Sequence, residues 1–495
     1  MSSGNIGYTE GWASPASIKA ELGHKYRWLK TGAVYKQVGT GVSNNWVEDG
    51  AASPEYLNDL LDVNTTPLIG QSLTWNGSEW INIDVTNLGN TLFVSTNGKT
   101  IAIGAERESI SNSFSSLSEA RTTALSGDTI VVHPGTYANP GNLWKDGVNY
   151  VFMPGVEINF TGTIYGASAN QSCNIYGKAN FTQTGSSGSP AFSCEQTGSS
   201  GTFEANNITV YGNVGFQLTH GEFDFIANEI TMTYRQYLLY FRLTTGRFYI
   251  KANKINNENG SGLTIARTIY LRALSATSDV RIDAPYIGLD GVGANSQLVY
   301  YINEPSDGVA IINGNFHDTR TITDSLGSVW LGTNATINGD ITMLGDIPAL
   351  KIGSNQTKVI KFTGNIYHLS ASVLPAIDVS GNSGTLIFKG DVYTTSDLSA
   401  YFTGTSVTYF NGNIYNQHVA GAIVTGIEVD ATHDFIVEFA KVYFELAPHV
   451  AGSYCITGSN NNVRIYTNLL SNVAADPATN NLITGTNIII DTDIL

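Results

Sequence analysis

From about residue 127 onward, apolar and polar positions alternate with a period of two around recurrent Gly and Asn, and helical periodicity is almost absent. One short phrase keeps returning: FEANNIT from Phe203, FIANEIT from Phe225, IKANKIN from Ile250, IDAPYIG from Ile282, INGNFH from Ile312, INGDIT from Ile337, FTGNIY from Phe362, FKGDVY from Phe388 and FNGNIY from Phe410. A degenerate EFAKVY begins at Glu438, and an early FTGTIY at Phe160. The main copies start 22 to 32 residues apart. Repeats of this length mark a solenoid, a propeller or an array, and propeller repeats are longer, roughly 40–50 residues. Three short strands with their corners fill such a repeat. The pattern predicts an all-β parallel β-helix (solenoid), with aromatic and β-branched side chains stacked inside. Gly or Asn would take left-handed backbone at the corners, and Asn would form ladders from coil to coil.

One stretch departs from that period. In FSSLSEARTTALSGDTIVVHPGTY, Phe114, Leu117, Ala120, Arg121 and Ala124 follow helical spacing, with Ser115 or Ser116 as N-cap and Gly127 as the stop. A short helix followed by the strand TIVV is expected to lid the first coil, whose open end would otherwise invite association. Upstream, five of the seven tryptophans lie in the first 80 residues. Asn76-Gly77 is a two-residue turn signal between alternating apolar residues, so Trp75 and Trp80 flank a hairpin. Such a hairpin cannot bury two tryptophans alone, and identical copies in a homotrimer would supply the missing partners. The expected organisation is 1–55, an N-terminal attachment region; 56–90, a Trp-rich neck hairpin; 91–127, a linker and capping helix; and 128–495, the shaft. Residues 34–50 read as a looser second copy of the hairpin.

Composition narrows the chemistry. Charged residues make up 13% of 495 and the net charge is −16, with no basic block. That argues against a nucleic-acid partner. No apolar run is long enough to insert in a membrane, and MSSGNIGYTEGW lacks the charged and apolar regions of a signal peptide. Cys173, Cys194 and Cys455 have no metal-ligand spacing and read as free buried thiols. Nucleotide, zinc and serine-hydrolase motifs are missing, so no metal and no cofactor is expected.

Two stretches carry candidate chemistry. HGEFDF puts His220, Glu222 and Asp224 on one strand face, with Phe223 and Phe225 on the other. Glu222 and Asp224 would stand roughly 6.5–7 Å apart, within the range of inverting glycosidases. Any exposed β-helix face also alternates in this way, and that reading is the preferred one. Asp279, Arg281 and Asp283 read as a surface ion-pair ladder, and His433 with Asp434 as a weak candidate on opposite strand faces. In TMTYRQYLLYFRLTTGRFYIK, the set Arg235, Tyr237, Leu239, Phe241 and Leu243 looks like core, leaving Tyr234, Tyr240 and Arg242 outside. Exposed tyrosines offer flat faces to sugar rings and Arg bonds hydroxyls or carboxylates. A lateral contact between β-helices would use the same residue types, and it is slightly the preferred reading over carbohydrate binding.

Several segments resemble known proteins. FVSTNGK, GDTIVVHPGTY and LWKDGVNYVFMPGVEINF resemble the opening of pectin-lyase-like right-handed parallel β-helices, found in bacteriophage tail fibres, tailspikes and bacterial polysaccharide lyases. YLNDLLDVNTTPLIGQSLTWNGSEWINI is similar to a phage-fibre module with an LxDLxDV opening (Leu57, Asp59, Leu60, Asp62, Val63), a GQxLxW strand (Gly70, Gln71, Leu73, Trp75) and a W[IV] close (Trp80, Ile81). The resemblance covers about residues 56–160. It implies a homotrimeric virion fibre or spike, assembled in the host cytoplasm, joined to other virion proteins through its N-terminal region and adhering to host surface glycans. The alternatives are a tailspike enzyme that cleaves such glycans and a purely structural head fibre or tail appendage.

Overall fold

The computed structural model describes residues 91–96 and 113–444, apart from short gaps at 186–187, 234–235, 260–264, 292–294, 302–307, 322, 324–325, 354, 371–372, 381–382, 418–424 and 431–432. It also describes the backbone of isolated strands nearer both ends. The chain divides into two units, Met1–Gly89 and Asn90–Leu495. In the first unit, Tyr8–Gly11, Lys25–Trp28, Val34–Gln37 and Trp46–Glu48 form a sheet that is parallel at its first pair and antiparallel thereafter. Gln71–Trp75 pairs antiparallel with Trp80–Asp84, and Trp75 stands opposite Trp80 in register. The connection is therefore residues 76–79, longer than the two-residue turn that Asn76-Gly77 suggests. The surroundings of both tryptophans lie outside the described residues.

The second unit is a parallel β-solenoid of at least ten turns. Its logic is visible in one column. Phe203, Phe225, Ile250, Ile282, Ile312, Ile337, Phe362, Phe388 and Phe410 are each in register with the next and all fully buried. These are the first letters of the repeated phrase, so the repeat is one inward position copied coil after coil. Phe362, Phe388 and Phe410 stack at 5.1 and 4.8 Å with nearly parallel planes. Of the two outlying copies, one fits in part and one does not. Val437 stands opposite Phe410 and the register shifts just after it, so EFAKVY misses the column at Glu438 but pairs in the expected register from its second letter, Phe439 opposite Asn411 through Tyr443 opposite Tyr415. Phe160 ends the strand Val156–Phe160 and pairs with Gln183, in a different column.

The corners come in two kinds. Ala205, Ala227 and Ala252 stand in register and are followed by Asn before the next strand. From Gly314 onward the corner is one residue shorter, and the pairing register shifts between Asp283 and Tyr286 to absorb the difference. A Cβ at Gly364, Gly390 or Gly412 would overlap the corner carbonyl of the preceding coil, which is why glycine recurs there. The residue after each glycine completes the corner. The side-chain oxygens of Asn315, Asp340, Asn365 and Asp391 accept the backbone N–H of the equivalent residue one coil on, at 3.2, 2.7, 2.9 and 2.8 Å. Earlier coils carry amide pairs instead, such as Asn206 to Asn180 and Asn253 to Asn228, both 2.9 Å.

The solenoid sheet begins at Thr91–Val94, ahead of the helix Leu117–Thr123. Ser116 caps this helix, its hydroxyl accepting the Glu119 N–H at 3.1 Å. Leu117, Ala120 and Ala124 join the core beside Leu92, Val94 and Ile130. The helix ends at Thr123, before Gly127, which instead takes positive φ in the next turn and donates to the Gly147 carbonyl at 2.8 Å.

Candidate surface-binding site

At one edge of each coil the chain enters a short strand with two successive side chains buried: Ile164–Tyr165, Ala191–Phe192, Leu238–Leu239, Leu298–Val299, Ala349–Leu350. This corner breaks strict alternation. It moves Tyr237, which alternation places in the core, to a half-exposed position, while Leu239 and Phe241 stay buried as expected. The next outward residue in each coil forms a column. Tyr240, Tyr270, Tyr300 and Trp330 are in register. Their rings follow one another at 4.9, 5.4 and 4.8 Å, and Tyr237 adds a fifth ring 5.4 Å from Tyr240.

Because the rings follow one another so closely, part of each ring face is spent inside the column, and all four residues remain half-exposed. Arg267 is laid across this surface. Its guanidinium carbon is 4.0 Å from the Tyr300 ring centroid, 4.4 Å from Tyr270 and 5.4 Å from Tyr237. Its Nε donates to Gln297 Oε1 at 2.9 Å and its Nη1 to the Tyr237 hydroxyl at 3.5 Å. Arg242 is exposed at the side of the column and Arg272 is half-buried one coil on. Burial pushes the Tyr270 hydroxyl pKa up, partly offset by the positive charges of Arg267 and Arg272. Tyr234 lies outside the described residues. Beyond Trp330 the column continues as Lys351 and Asp378, an ion pair at 2.8 Å. Sequence reasoning singled out Tyr240 and Arg242 but missed Tyr270, Tyr300, Trp330 and Arg267. The available signal was an aromatic residue every 30 positions from 240 to 330.

The carboxylate candidates lie on the neighbouring face. Phe223 and Phe225 are fully buried, while His220, Glu222 and Asp224 point outward, as the alternation requires. Asp224 is held by Arg247 of the next coil, Nη1 to Oδ1 at 2.5 Å and Nη2 to Oδ2 at 3.4 Å. Glu222 stays exposed at the rim of an open recess of about 450 Å³. Gly198, Gly221 and Gly246 take positive φ around this recess, and His220 Nδ1 lies 2.6 Å from Thr245 Oγ1. The two carboxylates therefore differ: one is committed to a cation, the other faces solvent. Arg281 and Asp283 pair at 2.9 Å, the surface ion pair expected there. His433 is fully buried against Thr408 at 3.0 Å, so it cannot meet an external substrate. Cys173 and Cys194 are free and buried. Burial pushes the Cys173 thiol up to about 12 and Cys194 well above its usual range. Among the described residues no group of three or more His, Cys, Asp and Glu could hold a metal ion.

Fold and site together define a β-solenoid that carries an aromatic, arginine-bearing strip along one face. No family model, curated protein or solved structure matches the chain.

Proposed function

We propose that this chain is a fibre or spike protein of a bacteriophage virion that adheres to glycans on the host surface. The observation carrying this reading is the outward column Tyr240–Tyr270–Tyr300–Trp330 with Arg267 and Arg242 beside it. Aromatic rings repeated at each coil from Tyr240 to Trp330, ~4.8 Å apart, with arginines beside the first coils, suit a ligand that is itself repetitive. Individually weak contacts add through avidity, and three copies in a homotrimer would multiply them. Residues 56–90 would join the three chains, and the region before them would attach to other virion proteins.

Binding is favoured over cleavage by the state of the carboxylates. A glycosidase needs one carboxyl to hold a proton near neutral pH, helped by burial or a like charge. Glu222 is exposed and Asp224 is tied to Arg247. The second reading, a tailspike enzyme, is favoured by the recess beside His220 and Glu222. Size-exclusion chromatography of bacterial surface polysaccharides, before and after incubation with the purified protein, separates the two. The expected outcome is retention of at least one polysaccharide at unchanged length. Shortening that is lost in Glu222→Ala would make the enzyme reading the better one, and no retention by any polysaccharide would remove adhesion.

A further inference from the structure

The adhesive strip has an unusual charge for this molecule. The chain carries a net charge of −16. Yet the strand segments that build the strip, 237–241, 267–271, 297–301 and 329–331, contain no Asp or Glu. Arg267 lies on the column, Arg242 stands exposed at its side, and Arg272 is close enough to lower the Tyr270 hydroxyl pKa. The neighbouring face has the opposite habit: Arg247 and Arg281 are each neutralised by an aspartate, Asp224 and Asp283.

Arg267 is also pre-organised in a particular way. Its position over the Tyr270 and Tyr300 rings holds the guanidinium against the column. Its bonds to Gln297 and Tyr237 leave N–H donors over. A planar cation held in place with N–H donors to spare suits an oxyanion that accepts two parallel N–H bonds. A neutral sugar hydroxyl accepts from the same donors, but without the negative charge that makes a bond to an oxyanion the stronger one. Arg242, one coil below the strand that carries Arg267 and exposed, offers a second cation to a chain with regularly spaced negative groups.

We propose that this strip recognises an anionic polysaccharide, with Arg267 and Arg242 meeting its acid groups and the Tyr240–Trp330 column lying against its sugar backbone. The inference rests on the adhesive reading above and adds the class of glycan. Affinity electrophoresis tests it with three probes of matched length: a polyuronate, a poly(ribitol phosphate) and neutral dextran. The polyuronate and the poly(ribitol phosphate) distinguish carboxylate from phosphodiester as the acid group. Retardation by at least one anionic probe and none by dextran is expected, weakening as salt is raised. Arg242→Ala, at an exposed position, should weaken that retardation about ten-fold or more. Arg267→Lys, which keeps the charge but loses the fork, should weaken it as well. Arg281→Ala on the neighbouring face should change nothing.

Equal retardation by dextran and the anionic probes, or full retention in Arg242→Ala, overturns the acidic specificity while leaving adhesion standing. Binding of a bacterial surface polysaccharide in the size-exclusion assay, with none to either anionic probe, also overturns it. No binding in either assay removes both readings. Light scattering is run on the same variants. Loss of assembly in Arg242→Ala, without any change in probe binding, would assign the strip to contacts between copies and overturn the proposal.

Discussion

At the residue scale, the solenoid interior carries polar groups that make folding sensitive to pH. His368 is fully buried, with Nδ1 3.3 Å from Thr394 Oγ1 and 3.2 Å from Ser396 Oγ. Burial lowers its pKa from 6.5 to about 4. In the unfolded chain the imidazole takes up its proton near 6.5; in the folded chain it resists until about 4. The unfolded state therefore binds more protons between these values. The contribution of His368 is complete above pH 6.5 and falls as pH drops toward 4, by up to about 3 kcal/mol. Comparing urea midpoints at pH 7.5 and 4.5, His368→Gln should lose less stability on acidification than the parent. An equal loss in both would mean that His368 is not protected as the structure has it. Arg320 and Asp318 solve the same problem differently. They form a fully buried pair, and Arg320 Nη1 also reaches the Ser296 carbonyl at 2.6 Å while Ser328 bonds Asp318 at 2.7 Å, so neither charge is left without partners.

At the scale of the coil, the corner decides what the sequence can say. Gly390 has φ +145° and its Cα faces the Gly364 carbonyl so closely that any Cβ would overlap it. Gly390→Ala should lower the unfolding midpoint, at a cost of about 2 kcal/mol or more, because backbone on both coils must move. Gly141, with positive φ but open space around it, should show a smaller loss on the same change. Equal effects would make conformation, not the close approach, the cause. This geometry explains why the fold was legible: from Gly314 to Gly412 a corner that admits only Gly, followed by Asn or Asp, stamps a recognisable phrase on each coil, and in the coils before it Ala followed by Asn or Pro does so more loosely. The aromatic column was less legible. Tyr270, Tyr300 and Trp330 sit on short strands with no shared phrase, since an outward position tolerates many side chains. Only the coil-to-coil register gathers them. Tyr237 was misplaced because Leu238 and Leu239 both turn inward at a corner, where period-two reasoning does not hold. Glu222 and Asp224 were legible as a pair on one face. The Arg247 that engages Asp224 comes from the next coil, which the strand alone cannot show.

At the scale of the whole molecule, a regular scaffold presents irregular faces. One face alternates acids with arginines, and another gathers rings and arginines on strands 237–241, 267–271, 297–301 and 329–331, which carry no Asp or Glu. Light scattering at micromolar concentration should return three times the chain mass; a stable monomer would end the trimer proposal. The central claim, that the aromatic strip is the adhesive surface, is tested most directly by carbene footprinting with and without a polysaccharide that the protein retains. The account predicts that labelling falls at Tyr240, Tyr270, Tyr300 and Trp330 and is unchanged around His220 and Glu222. Protection confined to the recess, or no protection on the column at saturating polysaccharide, would contradict it.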